Sequence, residues 1–332
     1  MDSYSFYCSA CGKCCNSPPQ MSVPELFSLP DLFVGSLAIR RVKRIRAGAE
    51  VHLDGRSYTF DDNDRTQSDA LSDRLLYRAP QRSTPDYDFA IYAQGFDYAS
   101  LARCPALTDE ARCSIHGDAQ PLTCKVVPMD ALWPDRLQHV VLASRNRAEN
   151  LFYADCIVKG YREGFTPTTR GEDVIGQSFC DALARRRAQM AADKLWWGNA
   201  VFDMLRNDLF ASPAESARIP FDGYLFLSLV PVLAVVADIS EACRQRCIEY
   251  VEAQLALIER MVKQAILRQD AQDKQTTQQL RAWITAYRAL RKSLSAGHAS
   301  TRDPRRQAEG EAWLSGGFAA FDTLDAQTAA TP

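Results

Sequence analysis

Four thiols fall within eight positions near the start of the chain, Cys8, Cys11, Cys14 and Cys15 in "FYCSACGKCC". A spacing of two between cysteines lets a tight turn present both sulfurs to one ion, as in zinc knuckles and iron–sulfur sites. Gly12 suits such a turn. Adjacent Cys14 and Cys15 fit poorly on one tetrahedral ion, because neighbouring side chains diverge. The expectation is that they serve two centres, or that one is a spare thiol. A second group, "CPALTDEARCSIHGDAQPLTC", supplies Cys104, Cys113 and Cys124, and Cys156 follows in "YADC". Four and four would make two four-thiolate sites, or one cluster and one mononuclear ion. His116, three residues after Cys113, is the alternative ligand. Thiols bundled this closely and left unligated would oxidise readily, which also favours a metal.

The rest of the chain bounds what surrounds these thiols. Its 332 residues suffice for one large or two ordinary domains. With 39 basic and 41 acidic residues and a net charge of −2, the overall field gives no ground for a nucleic-acid or membrane partner. "MDSYSFY" lacks the basic start and apolar core of a secretory signal, so the cytoplasm is the expected location. In that reducing compartment eleven cysteines point to metal binding or redox chemistry rather than to a disulfide framework. The longest apolar stretch, "GYLFLSLVPVLAVVA" (223–237), is shorter than the roughly 20 residues that span a bilayer and contains Pro231. It reads as a buried helix, or two half-helices meeting at the proline.

The elements follow from caps and periodicity. Ser22, Pro24 and Glu25 mark a helix start. Beyond Pro30 the sequence "DLFVGSLAIRRVKRIRAG" reads as a continued helix ending at Gly48. Residues 50–60 alternate about Asp54-Gly55 and predict a hairpin. Residues 61–85 are polar and read as a loop. "DFAIYA" (88–93) and "LQHVVLA" (137–143) read as strands. Residues 178–210 read as helical, and Ser212-Pro213 closes that stretch. Apolar positions 243, 247, 251, 255, 258, 262 and 266 draw one stripe along a long helix, and Leu280, Ile284, Tyr287, Leu290 and Leu294 draw another.

"GFTPTTRGED" (164–173) is the expected boundary segment. This gives a cysteine-cluster domain over 1–170, a helical domain over 171–298, and a partly disordered tail over 299–332 in which "AWLSGGFAAF" docks as an apolar patch. Cys180, Cys243 and Cys247 read as core, as do Trp196 and Trp197. "RRVKRIR" (40–46) and "RRR" (185–187) read as solvated helix faces rather than as an RNA site. His52, His139 and His298 read as surface or strand residues.

The pattern Cys8-x2-Cys11-Gly12-x-Cys14-Cys15 resembles the signature of the YkgJ-type cysteine-cluster proteins, a zinc- or iron-chelating CxxCxxCC domain. The second signature of that family matches Cys104-Pro105-Ala106-Leu107, Cys113-Ser114-Ile115-His116, Gln120-Pro121, Cys124-Lys125 and Val127-Pro128. Cys156, followed by Gly160, falls where the family tends to carry its last cysteine. His116 replaces a tyrosine, and Gln120 and Lys125 replace arginines, while every cysteine is kept. The resemblance covers roughly residues 6–160. More loosely, the cluster and the helical remainder resemble the flagellin lysine N-methylases, which would imply S-adenosylmethionine as cosubstrate, although no Gly-rich nucleotide loop is present.

Together these features predict an α+β fold, with an irregular cysteine-rich metal-binding region, few short strands and a mainly helical remainder. The first functional reading is a protein holding an iron–sulfur cluster or zinc through Cys8, Cys11, Cys14, Cys15, Cys104, Cys113, Cys124 and Cys156, with a redox role. Two others stand beside it: a metal-dependent protein-modifying enzyme, and a zinc-stabilised interaction protein whose helical half binds a protein partner. Both metals accept four thiolates. The excess of thiols and the adjacent pair favour iron–sulfur.

Overall fold

The computed structural model describes residues 3–8, 12–53, 56–79, 86–146, 156–297 and 303–316. In chain order the first elements are β1 (Ser3–Phe6), β2 (Gln20–Met21), α1 (Val23–Ser28), β3 (Val34–Lys43), β4 (Glu50–Leu53), β5 (Arg56–Thr59), α2 (Asp62–Leu75), β6 (Tyr77–Arg78) and β7 (Tyr87–Phe96). Then come α3 (Leu122–Val126), α4 (Gln138–Arg145), β8 (Ile157–Lys159), β9 (Thr166–Arg170) and β10 (Asp173–Val174). The remainder is α5 (Gln177–Asp193), α6 (Asn199–Leu205), α7 (Pro213–Ser216), β11 (Leu225–Ser228), α8 (Val230–Ala237), α9 (Glu241–Arg268), α10 (Asp273–Ala296) and α11 (Pro304–Leu314). The fold is α+β, as expected.

Two long strands set the frame. β3 and β7 pair antiparallel from Val34 opposite Phe96 to Lys43 opposite Tyr87. β11 adds to the free edge of β3 and β2 to that of β7, giving the order β11-β3-β7-β2, with β6 also on β7. A second sheet runs β10-β9-β1-β8, and β4 pairs with β5 as a separate hairpin. The paired strands of that hairpin are the ones its alternation predicts, while Asp54 and Gly55 at its turn lie outside the described residues. The expected boundary at residue 170 falls between the paired strands β9 and β10, and β11 joins a sheet whose other strands precede residue 97.

Helices α8, α9 and α10 close the main core over this sheet. Cys243, Cys247, Val251, Leu255, Ile258 and Val262 are buried as the stripe on α9 predicts, and the stripe ends at Ile266, which is 52% exposed. Gln254 lies on the same buried face. Its side-chain amide serves three backbone groups, accepting from Gly35 N–H at 2.8 Å and donating to the carbonyls of Pro30 and Phe33 at 2.7 and 3.1 Å. Backbone and helix approach so closely here that a Cβ on Gly35 would strike the Tyr250 hydroxyl, Leu229 and Leu26. Trp313 and Leu314 on α11 are buried, and Trp313 stacks on Trp196 with ring centroids 5.9 Å apart. Part of the tail therefore docks, while residues 298–302 and 317–332, with His298, lie outside the described residues.

Four sequence expectations are corrected. Val34–Lys43 is a strand, not a helix; its first six residues are buried, which erases the alternation that distinguishes a strand. Asp62–Leu75 is a helix, not a loop. It opens on a capping box in which Asp61 accepts from Asp64 N–H at 2.7 Å and the Asp64 side chain accepts from Asp61 N–H at 2.9 Å. Gln138–Arg145 is a helix, because the buried Gln138 side chain donates to Asp130 and Trp133 carbonyls and folds the chain into a turn at its start. The apolar stretch 223–237 divides into strand β11 and helix α8, with Pro231 in the first helical turn where it costs no hydrogen bond. No helix among the described residues is long and apolar enough to cross a membrane.

Candidate metal centre

Two loop segments and the short helix α3 carry five of the eight expected cysteines to one place. The first is a turn in which Cys15 N–H donates to Gly12 O at 2.9 Å. Gly12 has φ +74°, which disfavours other residues, and a Cβ there would press on Leu107 at 3.3 Å. The second segment joins the first through Cys104 N–H, which donates to Cys15 O at 2.7 Å. It then folds back on itself: Leu107 bridges Cys113, and Ser114 N–H donates to Ala106 O at 2.8 Å. Cys113 thus returns beside Cys104.

The third segment is α3, which bears Cys124. Its first helical N–H, on Leu122, donates at 2.8 Å to Glu25 Oε1. The other carboxylate oxygen of Glu25 accepts from Ser22 N–H at 2.8 Å. One glutamate therefore closes the cap of α1 and anchors the start of α3. Ser22 is itself held by Gln189 of α5, which donates to its hydroxyl at 2.9 Å.

Charge couples the five thiols. The Cys15 S–H, hydrogen-bonded to Cys14, holds the Cys14 thiol down at about 6, and Arg145 adds to this. Cys15 is pushed up in exchange, chiefly by the same bond and by burial, with Cys14, Cys104 and Cys124 repelling a second charge. Burial holds Cys104 up at about 11, with Cys113 contributing. Burial also holds Cys124 up at about 12, with Cys104, Cys113 and Cys14 as neighbours. Cys14, which is exposed to solvent, is thus the ready thiolate. Cys15, Cys104 and Cys124 resist ionisation unless a cation compensates.

Cys8 and Cys156 sit elsewhere. Tyr7 N–H donates to Cys156 O at 2.9 Å, so these two cysteines stand at the end of the β1–β8 ladder rather than on the loops that bear the five. Cys156 packs beside Tyr4, Leu142 and Ile157. Cys11 lies outside the described residues. His116 is exposed next to Cys113, its N–H donating to Cys113 O at 3.3 Å. Among the described residues no group of three or more His, Cys, Asp or Glu side chains is drawn together tightly enough to hold a metal ion. Cys180, Cys243 and Cys247 lie on helices α5 and α9, apart from the loops of the site, with Cys243 and Cys247 fully buried.

A cavity of about 350 Å³ opens beside the cluster, with Cys14, Cys15, Cys104 and Cys124 in its wall. Arg40, Arg145 and Arg186 line it as well. Sequence reasoning passed over these arginines. Arg40 and Arg186 belong to the runs read as solvated helix faces, yet Arg40 is half-buried on strand β3 and Arg186 is 3% exposed on α5. Alternation along a strand would have turned Arg40 inward had 34–43 been read as one.

No protein-family model matches the sequence, and no curated protein or solved structure does.

Proposed function

We propose that this chain is a metal-binding protein whose cysteine loops hold an iron–sulfur cluster, with a redox role. The observation that carries this reading is the convergence of Cys14, Cys15, Cys104 and Cys124 from three segments far apart in sequence onto the wall of one cavity, with Cys113 folded back beside Cys104. Hydrogen bonds to Glu25 and between Cys104 and Cys15 position those segments without using the thiols themselves. That leaves the sulfurs available as ligands.

The donor set fits the group in kind and number. Thiolates select iron–sulfur clusters and zinc over harder ions, and more than four converging cysteines suit a cluster better than one closed zinc site. Cys11, three positions before Cys14 in sequence, belongs to the expected ligand set, while Cys8 and Cys156 supply a second pair. Binding would draw the thiols inward and expel the protons that Cys15, Cys104 and Cys124 retain. A cluster held here would supply one-electron chemistry at the mouth of the cavity.

Anaerobic purification followed by a visible absorption spectrum and iron, sulfide and zinc analysis tests the reading. Iron and acid-labile sulfide in matching amounts with a brown colour support it. Stoichiometric zinc in a colourless protein replaces the cluster with a structural ion, and protein free of both metals overturns it.

A further inference from the structure

The cavity beside the thiols is lined on its other side by cations whose hydrogen-bonding capacity the fold does not exhaust. Arg145 is accounted for: it donates to the carbonyls of Pro128 and Met129 and lies 3.8 Å from Asp130. Asp130, the carboxylate in the cavity wall, is engaged in turn by Leu132 N–H at 2.9 Å. Arg186 meets neutral acceptors instead, Gln189 Oε1 at 2.6 Å and Gln20 Oε1 at 3.4 Å. Asp193, which feels the charge of Arg186, is held up at about 8 by burial and so carries little charge at neutral pH. Arg40 has its Nε buried without a hydrogen-bond partner, and so have Gln94 Oε1 and Thr123 Oγ1 in the same wall.

The wall carries three guanidinium groups against one carboxylate, and that excess sets the sign of an occupant. Arg40 and Arg186 present planar N–H forks, and the single carboxylate of the wall, Asp130, is shared between Arg145 and Arg40 and so leaves the three guanidinium groups in excess. Tyr224 adds a donor: its hydroxyl accepts from Gln20 Nε2 at 2.8 Å and keeps its own proton to give. Between these groups Met129 and Met190 supply an apolar surface. A bare inorganic ion would leave that surface uncovered, and an uncharged molecule would leave the guanidinium groups unmatched.

We infer that this cavity binds a small organic anion, with Arg40, Arg186 and Tyr224 holding its carboxylate or phosphate group, and that it presents the rest of the molecule beside the cysteine cluster. The inference goes beyond metal binding and stands on the arginines alone, so anion affinity and metal content fail or succeed separately.

Calorimetric titration of the full chain as purified, with benzoate, phenyl phosphate and uncharged benzyl alcohol at matched ionic strength, tests it. Saturable one-site binding of benzoate identifies a carboxylate site, and of phenyl phosphate a phosphate site; benzyl alcohol gives none. Arg40→Gln weakens that binding by about 10- to 100-fold, the usual scale for one charge-assisted contact. Arg40→Lys, which keeps the charge and loses the fork, falls between. If either Arg40 variant fails to fold, Tyr224→Phe serves, with a loss of about fivefold for one neutral hydrogen bond. Failure of the wild-type chain to bind either anion overturns the inference, as does equal binding of benzyl alcohol or unchanged affinity in the folded variants.

Discussion

Glu25 Oε1 accepts the backbone N–H of Leu122 at 2.8 Å, across 97 residues of sequence. The contact links the capped start of α1 to the helix that bears Cys124, so the geometry of the thiol cluster depends on a residue outside the cysteine set. Glu25→Ala leaves the first N–H of α3 without this partner and the Ser22 cap half-made. Loss of such a charge-assisted bond costs about 1.5–3 kcal/mol. Urea unfolding should register that loss, and metal retention after gel filtration should drop with it. Glu25→Gln keeps an acceptor and should recover part of both. Wild-type metal retention in Glu25→Ala would show that α3 is positioned by other contacts.

Gly35 is fixed by close approach rather than by its backbone angles. A Cβ there meets the Tyr250 hydroxyl, Leu229 and Leu26, while its N–H and carbonyl are bonded to Gln254 and Tyr287. Gly35→Ala should destabilise the fold by about 1–3 kcal/mol, the range for an overpacked core. Denaturant midpoints at constant slope measure it.

Asp193 gives the protein a pH dependence of unusual sign. Burial holds its carboxyl at about 8 in the folded chain, opposed by Arg186, while the unfolded chain releases the proton at the ordinary carboxylate value near 3.8. Between these values the unfolded state loses a proton that the native state keeps, so this residue removes stability as pH rises from about 4 to about 8 and no more above that. In Asp193→Asn that component vanishes. Thermal midpoints taken at intervals from pH 5 to pH 9 should fall less steeply with rising pH in the variant than in wild type; parallel curves would mean that Asp193 is ionised in the native state.

The docked tail can be tested through Trp313, which is fully buried and stacked on Trp196. Trp313→Ala should cost about 3–5 kcal/mol, as large aromatic deletions in cores do. A value below 1 kcal/mol in chemical unfolding would show that α11 docks only loosely.

Legibility in the sequence followed the strength of local signals. The stripes on α9 and α10 and the alternation of β4 and β5 could be read because one face is buried and the other wet. β3 could not be, since burial on both faces removes the alternation, and α4 could not because Val140 and Val141 suggest a strand until Gln138 is seen closing the turn before it. The polar helix α2 begins on an Asp-x-x-Asp box, a weaker signal than one ending in Glu, and it buries few apolar groups. At the site, cysteine spacing led to Cys14, Cys15, Cys104, Cys113 and Cys124. It could not separate them from Cys8 and Cys156, whose place is set by strand pairing. Nor could it reach Arg40 and Arg186, because only the register of β3 and the packing of α5 turn them into the cavity.

The central claim is that these five cysteines are metal ligands, and the most direct measurement is metal content per polypeptide in single Cys→Ser variants purified anaerobically. Serine at 14, 15, 104, 113 or 124 is expected to lower bound metal at least severalfold in most of the five, while Cys180→Ser, away from the cluster, retains the wild-type amount. Wild-type metal content in all five variants, or an equal loss in Cys180→Ser, would contradict the account.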